Sequence, residues 1–130
     1  MTPAVKSTVF IIEDDAFLLN LLTLKLSKED LEVVTALDGV EALEKLKTLR
    51  PAIILLDLIL PRKNGFEVLQ ELAQDPQLHK IPVIIISNLG QESDIERGKA
   101  LGAVEYYVKA RLSIDELVIK VKEFIGPPSA

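Results

Sequence analysis

The chain has 130 residues, of which 48% are hydrophobic and 27% are charged, and it contains no cysteine. This length suits one compact domain, and the composition is typical of a water-soluble globular protein. The lack of cysteine excludes disulfides, thiolate metal sites and cysteine nucleophiles; because it also fits a reducing compartment, we expect a cytoplasmic protein. The formal net charge of −5 argues against direct nucleic-acid binding, and no apolar run is long enough to span a membrane.

Five short apolar runs are predicted to be β-strands. They are Thr8–Ile12, Leu31–Ala36, Ala52–Asp57, Pro82–Ser87 and Val104–Lys109. Most of these runs are continuous stretches of Ile, Val and Leu, without strict alternation of apolar and polar residues. That pattern is typical of parallel strands covered by helices on both faces.

A segment with helical periodicity follows each predicted strand. Helices are expected over Asp15–Lys28, Asp38–Leu49, Asn64–Ala73 and Gln91–Leu101, and the last from a Ser113/Glu116 capping box to Gly126. The strict alternation predicts an α/β fold, with a mostly parallel sheet between two layers of helices. We expect one domain over residues 1–130, with its core at about 8–126 and flexible tails at 1–7 and 127–130.

Polar residues follow four of the predicted strands. They are Glu13, Asp14 and Asp15 after the first strand, then Asp57, Ser87 and Lys109 at the ends of the third, fourth and fifth. Asp15 is best explained as the N-cap of the next helix. Each of the others, taken alone, also has an ordinary structural explanation. Their joint placement at one edge of the sheet, where ligands bind in such folds, instead indicates a functional site.

The chemistry of these side chains indicates a metal and a phosphoryl group. Glu13, Asp14 and Asp57 supply hard oxygen ligands without histidine or cysteine, a set that selects Mg²⁺, with Mn²⁺ as the alternative. A bound cation and Lys109 would stabilise phosphoryl oxygens, and Ser87 would donate a hydrogen bond to them.

The motifs IIEDD, LLDLILPRKNG, IIIS and YYVK resemble the receiver domain of two-component response regulators. The resemblance extends from about Thr8 to Phe124, and its strongest part is the Asp-x-x-x-Pro-x-x-x-Gly run that begins at Asp57. It implies a CheY-like, flavodoxin-like (βα)5 fold with strand order 2-1-3-4-5 and an acid pocket at the first and third strands. It also implies a phosphoprotein of a two-component or phosphorelay system that turns over no metabolite.

The same resemblance implies roles for individual residues. Asp57 would be the phosphoacceptor, catalysing its own phosphorylation together with Lys109 and Ser87. Magnesium would be held by Asp14, Asp57 and the Ile59 backbone carbonyl, and by Glu13 through water. Ser87 and Tyr106 would form the switch, and Tyr107 should face the opposite way.

Partners are implied in the same way. The phosphoryl donor would be a histidine kinase or a histidine phosphotransfer protein. The phosphorylated form would present the fourth helix, fifth strand and fifth helix to an unidentified protein target, and the resemblance also allows a phosphorylation-dependent homodimer. The chain is then either a stand-alone regulator or a receiver from a longer protein.

Three positions need separate comment. Ala110 stands where the family usually has a cis proline; because a cis bond before alanine costs about 2.5–4 kcal/mol, we expect a trans bond or a reshaped loop. Ile59 and Leu89 are expected to flank the phosphoryl group, to hinder the attacking water and to slow dephosphorylation. His79 is expected to be a solvated loop residue.

Two other functions are compatible with these residues. One is a small Mg²⁺-dependent phosphohydrolase with Asp57 as its nucleophile, although Ile59 stands where such enzymes often carry a second acid. The other is a degenerate receiver that binds partners without phosphorylation, an alternative that Ala110 keeps open.

Overall fold

The computed structural model describes residues 6–126, in which five strands alternate with five α-helices. The strands are β1 Thr8–Ile12, β2 Glu32–Ala36, β3 Ile53–Leu56, β4 Val83–Ser87 and β5 Glu105–Val108. The helices are α1 Ala16–Ser27, α2 Gly39–Lys45, α3 Gly65–Gln74, α4 Glu92–Ala100 and α5 Ile114–Ile125, with a short 3-10 turn at Lys109–Arg111. Of the predicted tails, residues 1–5 and 127–130 lie outside the described residues.

All neighbouring strands pair in parallel, in the order β2-β1-β3-β4-β5. This confirms the predicted strand order and the doubly wound flavodoxin-like fold. In the pairing of the two central strands, Ile12 lies opposite Leu56. The residues that follow these two strands therefore emerge side by side, and they are Glu13 and Asp57.

The core has two layers because successive strand residues point to opposite faces of the sheet. Phe10, Ile54 and Ile85 pack on one face, which α2 and α3 cover with residues such as Ala42 and Leu69. The other face is covered by α1 and α5, and its buried cluster comprises Val9, Ile11, Leu22, Leu26, Ile53, Leu55, Ile84, Ile86, Leu117, Val118 and Val121. Burial on both faces explains why the strands are apolar almost throughout.

Side-chain caps fix the starts of several helices. Asp15 caps α1 by accepting from the N–H groups of Phe17 and Leu18, as expected. Ser113 caps α5 by accepting from the N–H of Glu116, also as expected. The sequence analysis missed the capping box at α3, which is formed by Asn64 and Glu67. None of the helices within residues 6–126 is both long and apolar enough to cross a membrane.

The second helix is shorter than predicted, since α2 ends at Lys45 rather than near Leu49. After α2 the backbone forms tighter turns, in which an N–H group donates to the carbonyl three residues earlier. Lys47 donates in this way to Glu44, and Thr48 to Lys45. The Arg50 side chain donates to the carbonyls of Leu46 and Leu49. These bonds satisfy the terminal carbonyls, which lets the helix end early although the apolar spacing continues.

Replacing Gly39 with alanine should destabilise the fold. A Cβ at Gly39, the first residue of α2, would lie 2.1 Å from the carbonyl oxygen of Lys63 in the loop before α3. We expect Gly39→Ala to lower the free energy of unfolding by about 1–3 kcal/mol in urea denaturation. The matched control is Gly90→Ala, whose Cβ would meet its nearest neighbour, Val108, at 3.5 Å. Equal unfolding free energies for the two variants would contradict this account.

Candidate functional site

The candidate site lies at the carboxyl ends of β1 and β3. Backbone hydrogen bonds continue past both strands, from the Glu13 N–H to the Ala36 carbonyl and from the Asp57 N–H to the Ile12 carbonyl, each 3.0 Å long. These bonds fix the backbone beneath the two carboxylates. Glu13 is 2% exposed and Asp57 is 3% exposed, whereas Asp14 is exposed. Two of the three acids are therefore almost completely removed from bulk water.

Lys109 reaches this carboxylate pair from the end of β5. Its Nζ lies 3.0 Å from Glu13 Oε1 and 2.8 Å from Asp57 Oδ2. Its position directly after β5 places it at the same sheet edge, and its long side chain reaches back to β1 and β3. The ammonium offsets part of the repulsion between the two buried carboxylates.

The charges at the site shift the proton affinities of its members. Burial raises the pKa of the Glu13 carboxyl from 4.5 to about 7; the negative charge of Asp57 adds to this, while the Asp15 N–H and the Lys109 ammonium oppose it. Burial lowers the pKa of the Lys109 ammonium, but its hydrogen bonds to Asp57 and Glu13 outweigh burial and raise the pKa overall. The Lys109 ammonium therefore stays protonated, while the Glu13 carboxyl loses its proton less readily than an ordinary glutamate.

The three acids form a set that could hold a metal ion. Glu13, Asp14 and Asp57 each offer a carboxylate oxygen, and these oxygens lie within 4.8 Å of one another. An all-oxygen set of this charge fits a hard divalent cation such as Mg²⁺. A cation here would also relieve the repulsion that Lys109 offsets only in part.

A cavity of about 180 Å³ opens above these residues, lined by Asp14, Asp57, Ile59, Asn88 and Lys109. Ile59, which is predicted to flank the phosphoryl group, is one of these lining residues, and the residue is 53% exposed. Leu89, expected to flank the same space, is not among the lining residues and packs instead against the core cluster on the α2 and α3 face. Sequence reasoning missed Asn88; the available signal was its place directly after Ser87, at the end of a central strand.

Ser87 and Tyr106 meet at the end of β4. Ser87 is completely buried, and its Oγ accepts the N–H of Leu89 at 3.3 Å. The Tyr106 hydroxyl donates to the Leu89 carbonyl. Burial raises the pKa of the Tyr106 hydroxyl, as do the negative charges of Asp94 and Asp57, whereas the nearby Ser87 hydroxyl lowers it. Tyr106 packs against one core cluster and Tyr107 against the other, so the two tyrosines face opposite ways as expected.

Residues 9–122 match the sequence model of the family described as the response regulator receiver domain. The chain belongs to this family. This confirms the resemblance drawn from the motifs and assigns the chain to the signalling domains of two-component response regulators.

Among curated relatives, the receiver domain is 37% identical over 117 residues to the phosphate regulon transcriptional regulatory protein PhoB of Rhizobium meliloti, covering 90% of this chain and 51% of PhoB. The chain thus spans about half the length of that relative. It is 30% identical to the polar-differentiation response regulator DivK of Brucella anthropi, covering 92% of this chain and 96% of DivK.

Solved structures show the same fold. The phosphorylated cyanobacterial phytochrome response regulator RcpA is 35% identical, with a TM-score of 0.80 and coverage of 92% of this chain and 91% of RcpA. The Francisella response regulator 1452 receiver domain is 29% identical, with a TM-score of 0.85 and coverage of 92% and 97%. Both are close to this receiver domain in fold over nearly its whole length.

The receiver domain departs from the usual family pattern at Ala110. Its peptide bond with Lys109 is trans, as expected, since the described residues contain no cis peptide bond. Residues Lys109–Arg111 form a 3-10 turn between β5 and α5. Lys109 nevertheless reaches both buried acids, so the alanine leaves the acid pocket assembled.

Glu13 should make the metal-free receiver domain less stable as pH rises. Its folded pKa of about 7 lies above its ordinary 4.5, so its favourable contribution is complete below pH 4.5 and is lost as pH rises through 7. We expect the free energy of unfolding in urea with a chelator to fall between pH 5 and pH 8, by on the order of 3 kcal/mol from this group. In Glu13→Gln this part of the fall should disappear, and ¹³C NMR of the carboxyl should show the titration directly. A Glu13 midpoint near 4.5 would contradict the assignment.

Proposed function

We propose that this receiver domain accepts a phosphoryl group from a phosphohistidine donor onto Asp57, with Mg²⁺ as cofactor, and thereby switches a partner-binding surface. The observation that carries the proposal is the position of Asp57. Its carboxylate is buried, lines the open cavity, contacts Lys109 and lies within reach of two further acids. A buried aspartate that is both paired with a cation and open to a cavity is suited to covalent chemistry.

The hydrogen bonds of Asp57 orient it for attack. Its Oδ1 accepts the N–H of Ile59 at 3.1 Å, and its Oδ2 accepts from Lys109 at 2.8 Å. In the reaction, a carboxylate oxygen of Asp57 forms a bond to phosphorus while the bond from phosphorus to the donor's imidazole nitrogen breaks. Lys109 stabilises the oxygens of the transferring group, because charge develops there in the transition state.

The metal would be held by Asp14, Asp57 and the Ile59 carbonyl, with Glu13 acting through water. When bound, Mg²⁺ would supply charge neutralisation at the phosphoryl oxygens. The chain itself contributes the arrangement, since Asp14 and Glu13 lie beside the acceptor before any donor arrives. Preorganised groups of this kind lower the barrier because they need not rearrange during the reaction.

The switch would follow from the new charge. An aspartyl phosphate adds roughly −1.5 to −2 charges at the end of β3. Ser87 would turn its hydroxyl toward the phosphoryl group and release the Leu89 N–H, and Tyr106, which donates to the carbonyl of the same residue, would reorient with it. Leu89 thus connects both switch residues to the loop before α4, and through it to the α4, β5 and α5 surface.

Replacing Asp57 with asparagine should abolish phosphorylation. With acetyl phosphate and Mg²⁺, we expect the wild-type protein to gain one phosphoryl group, measured as intact mass under conditions that preserve acyl phosphates. Asp57→Asn should gain none, because an amide is a poor nucleophile. The matched control Asp115→Asn, at an exposed position in the first turn of α5, should be phosphorylated like wild type. Phosphorylation of Asp57→Asn at the wild-type level would rule out the acceptor assignment.

The donor class can be tested with a panel of histidine kinases and histidine phosphotransfer proteins. Radiolabelled donors should transfer to the wild-type chain and not to Asp57→Asn. A chain that reacts with acetyl phosphate but with no phosphohistidine donor would overturn the donor part of the proposal alone.

The Ile59 side chain should slow loss of the phosphoryl group, because it is an apolar residue lining the cavity beside Asp57 and would hinder an attacking water. We expect Ile59→Asn to dephosphorylate several-fold faster than wild type, measured as decay of the phosphorylated mass in the presence of Mg²⁺. Leu89→Ala is the matched comparison, since Leu89 does not line the cavity and should change this rate little. Equal rates for Ile59→Asn and wild type would refute the idea.

A further inference from the structure

The walls of the cavity above Asp57 offer few hydrogen-bond donors. Of the five lining residues, Asp14 and Asp57 are carboxylates that only accept when ionised, and the Ile59 side chain is apolar. The side chains that can donate are those of Lys109 and Asn88. A phosphoryl group carries three acceptor oxygens and needs donors around it.

Lys109 already donates hydrogen bonds to two side chains of the protein. Its ammonium has three N–H donors, and it contacts both Glu13 Oε1 and Asp57 Oδ2. One N–H therefore remains for an incoming oxygen. An amide NH₂ has two donors, so Asn88 would more than double the side-chain donors available in the cavity.

Unlike Ser87, Asn88 lines the cavity. Ser87 is fully buried and absent from the cavity lining, and its Oγ accepts the Leu89 N–H, so its hydroxyl must turn before it can donate to a phosphoryl oxygen. Asn88 is the first residue beyond β4, is exposed, and lines the cavity together with Asp57 and Lys109. Because an amide is neutral, it adds donors without adding a fourth negative charge to the three acids.

We propose that the Asn88 side-chain amide donates a hydrogen bond to a phosphoryl oxygen on Asp57, which makes Asn88 a phosphoryl-binding residue. The inference rests on the proposed function of Asp57 and extends it to a side chain outside the acid pocket. A neutral donor to a charged oxygen forms a charge-assisted hydrogen bond, which is stronger than one between neutral groups.

The probe for this inference is beryllium fluoride, a phosphoryl mimic, titrated into the protein with saturating Mg²⁺. We expect Asn88→Ala to weaken the apparent affinity about tenfold. Asn88→Asp has nearly the same shape but replaces the donors with a negative charge, so it should weaken the affinity more. The control is Asn20→Ala, on the exposed side of α1, which should bind like wild type.

Two further measurements separate a lost hydrogen bond from other effects. Binding of Mg²⁺ alone should be no weaker in Asn88→Asp than in wild type, because the change adds a carboxylate beside the metal ligands. In the wild-type protein, the ¹⁵N–¹H signals of the Asn88 side chain should shift when beryllium fluoride is added, a readout that requires no variant.

The failures are distinguishable. If the wild-type protein does not bind beryllium fluoride at all, the proposed function fails and this inference fails with it. If the wild-type protein binds, but Asn88→Ala binds equally well and the Asn88 amide signals do not move, the role of Asn88 is overturned and the phosphoacceptor role of Asp57 stands.

Discussion

Electrostatic repulsion among Glu13, Asp14 and Asp57 is the constraint on which the rest of the site depends. Two of these acids are nearly inaccessible to water, which would otherwise screen their charges. A single ammonium group, that of Lys109, contacts both buried carboxylates and offsets part of this repulsion. One ammonium against three carboxyl groups leaves repulsion that a divalent cation would relieve, and this is the physical basis of the proposed metal site.

The sheet topology, rather than the local sequence, brings these three acids and Lys109 together. Strands β1 and β3 are far apart in the chain but pair directly, and their register places Glu13 beside Asp57. Lys109 comes from β5, which does not touch β1, and it bridges the gap with its long side chain. The carboxyl ends of parallel strands share one edge, so residues from distant segments meet there without any loop having to carry them.

The same edge connects the candidate site to α4. Ser87 and Tyr106 both bond to Leu89, one through its N–H and the other through its carbonyl. The Tyr106 ring packs beside Gly98, where a Cβ would lie 3.2 Å from the ring and 2.6 Å from Ile85. The lack of a side chain at Gly98 thus makes room for the ring beneath α4. Arg97, next to it, lies 4.0 Å from the centre of the Phe66 ring and ties α4 to α3.

The sequence by itself determined the strands, the alternation with helices and most of the acid pocket. Apolar runs buried on both faces have a clear pattern, and Asp15 and Ser113 follow local capping rules that need no tertiary information. The tertiary structure decided the end of α2, where Arg50 donates to the Leu46 and Leu49 carbonyls and is itself held by Gln77, 27 residues along the chain. It also decided that Asn88 lines the cavity while Leu89 turns into the core. That choice depends on the path of the loop after β4, which the bond from Tyr106 to the Leu89 carbonyl holds in place, and no pattern within the loop encodes a contact with a residue 17 positions away.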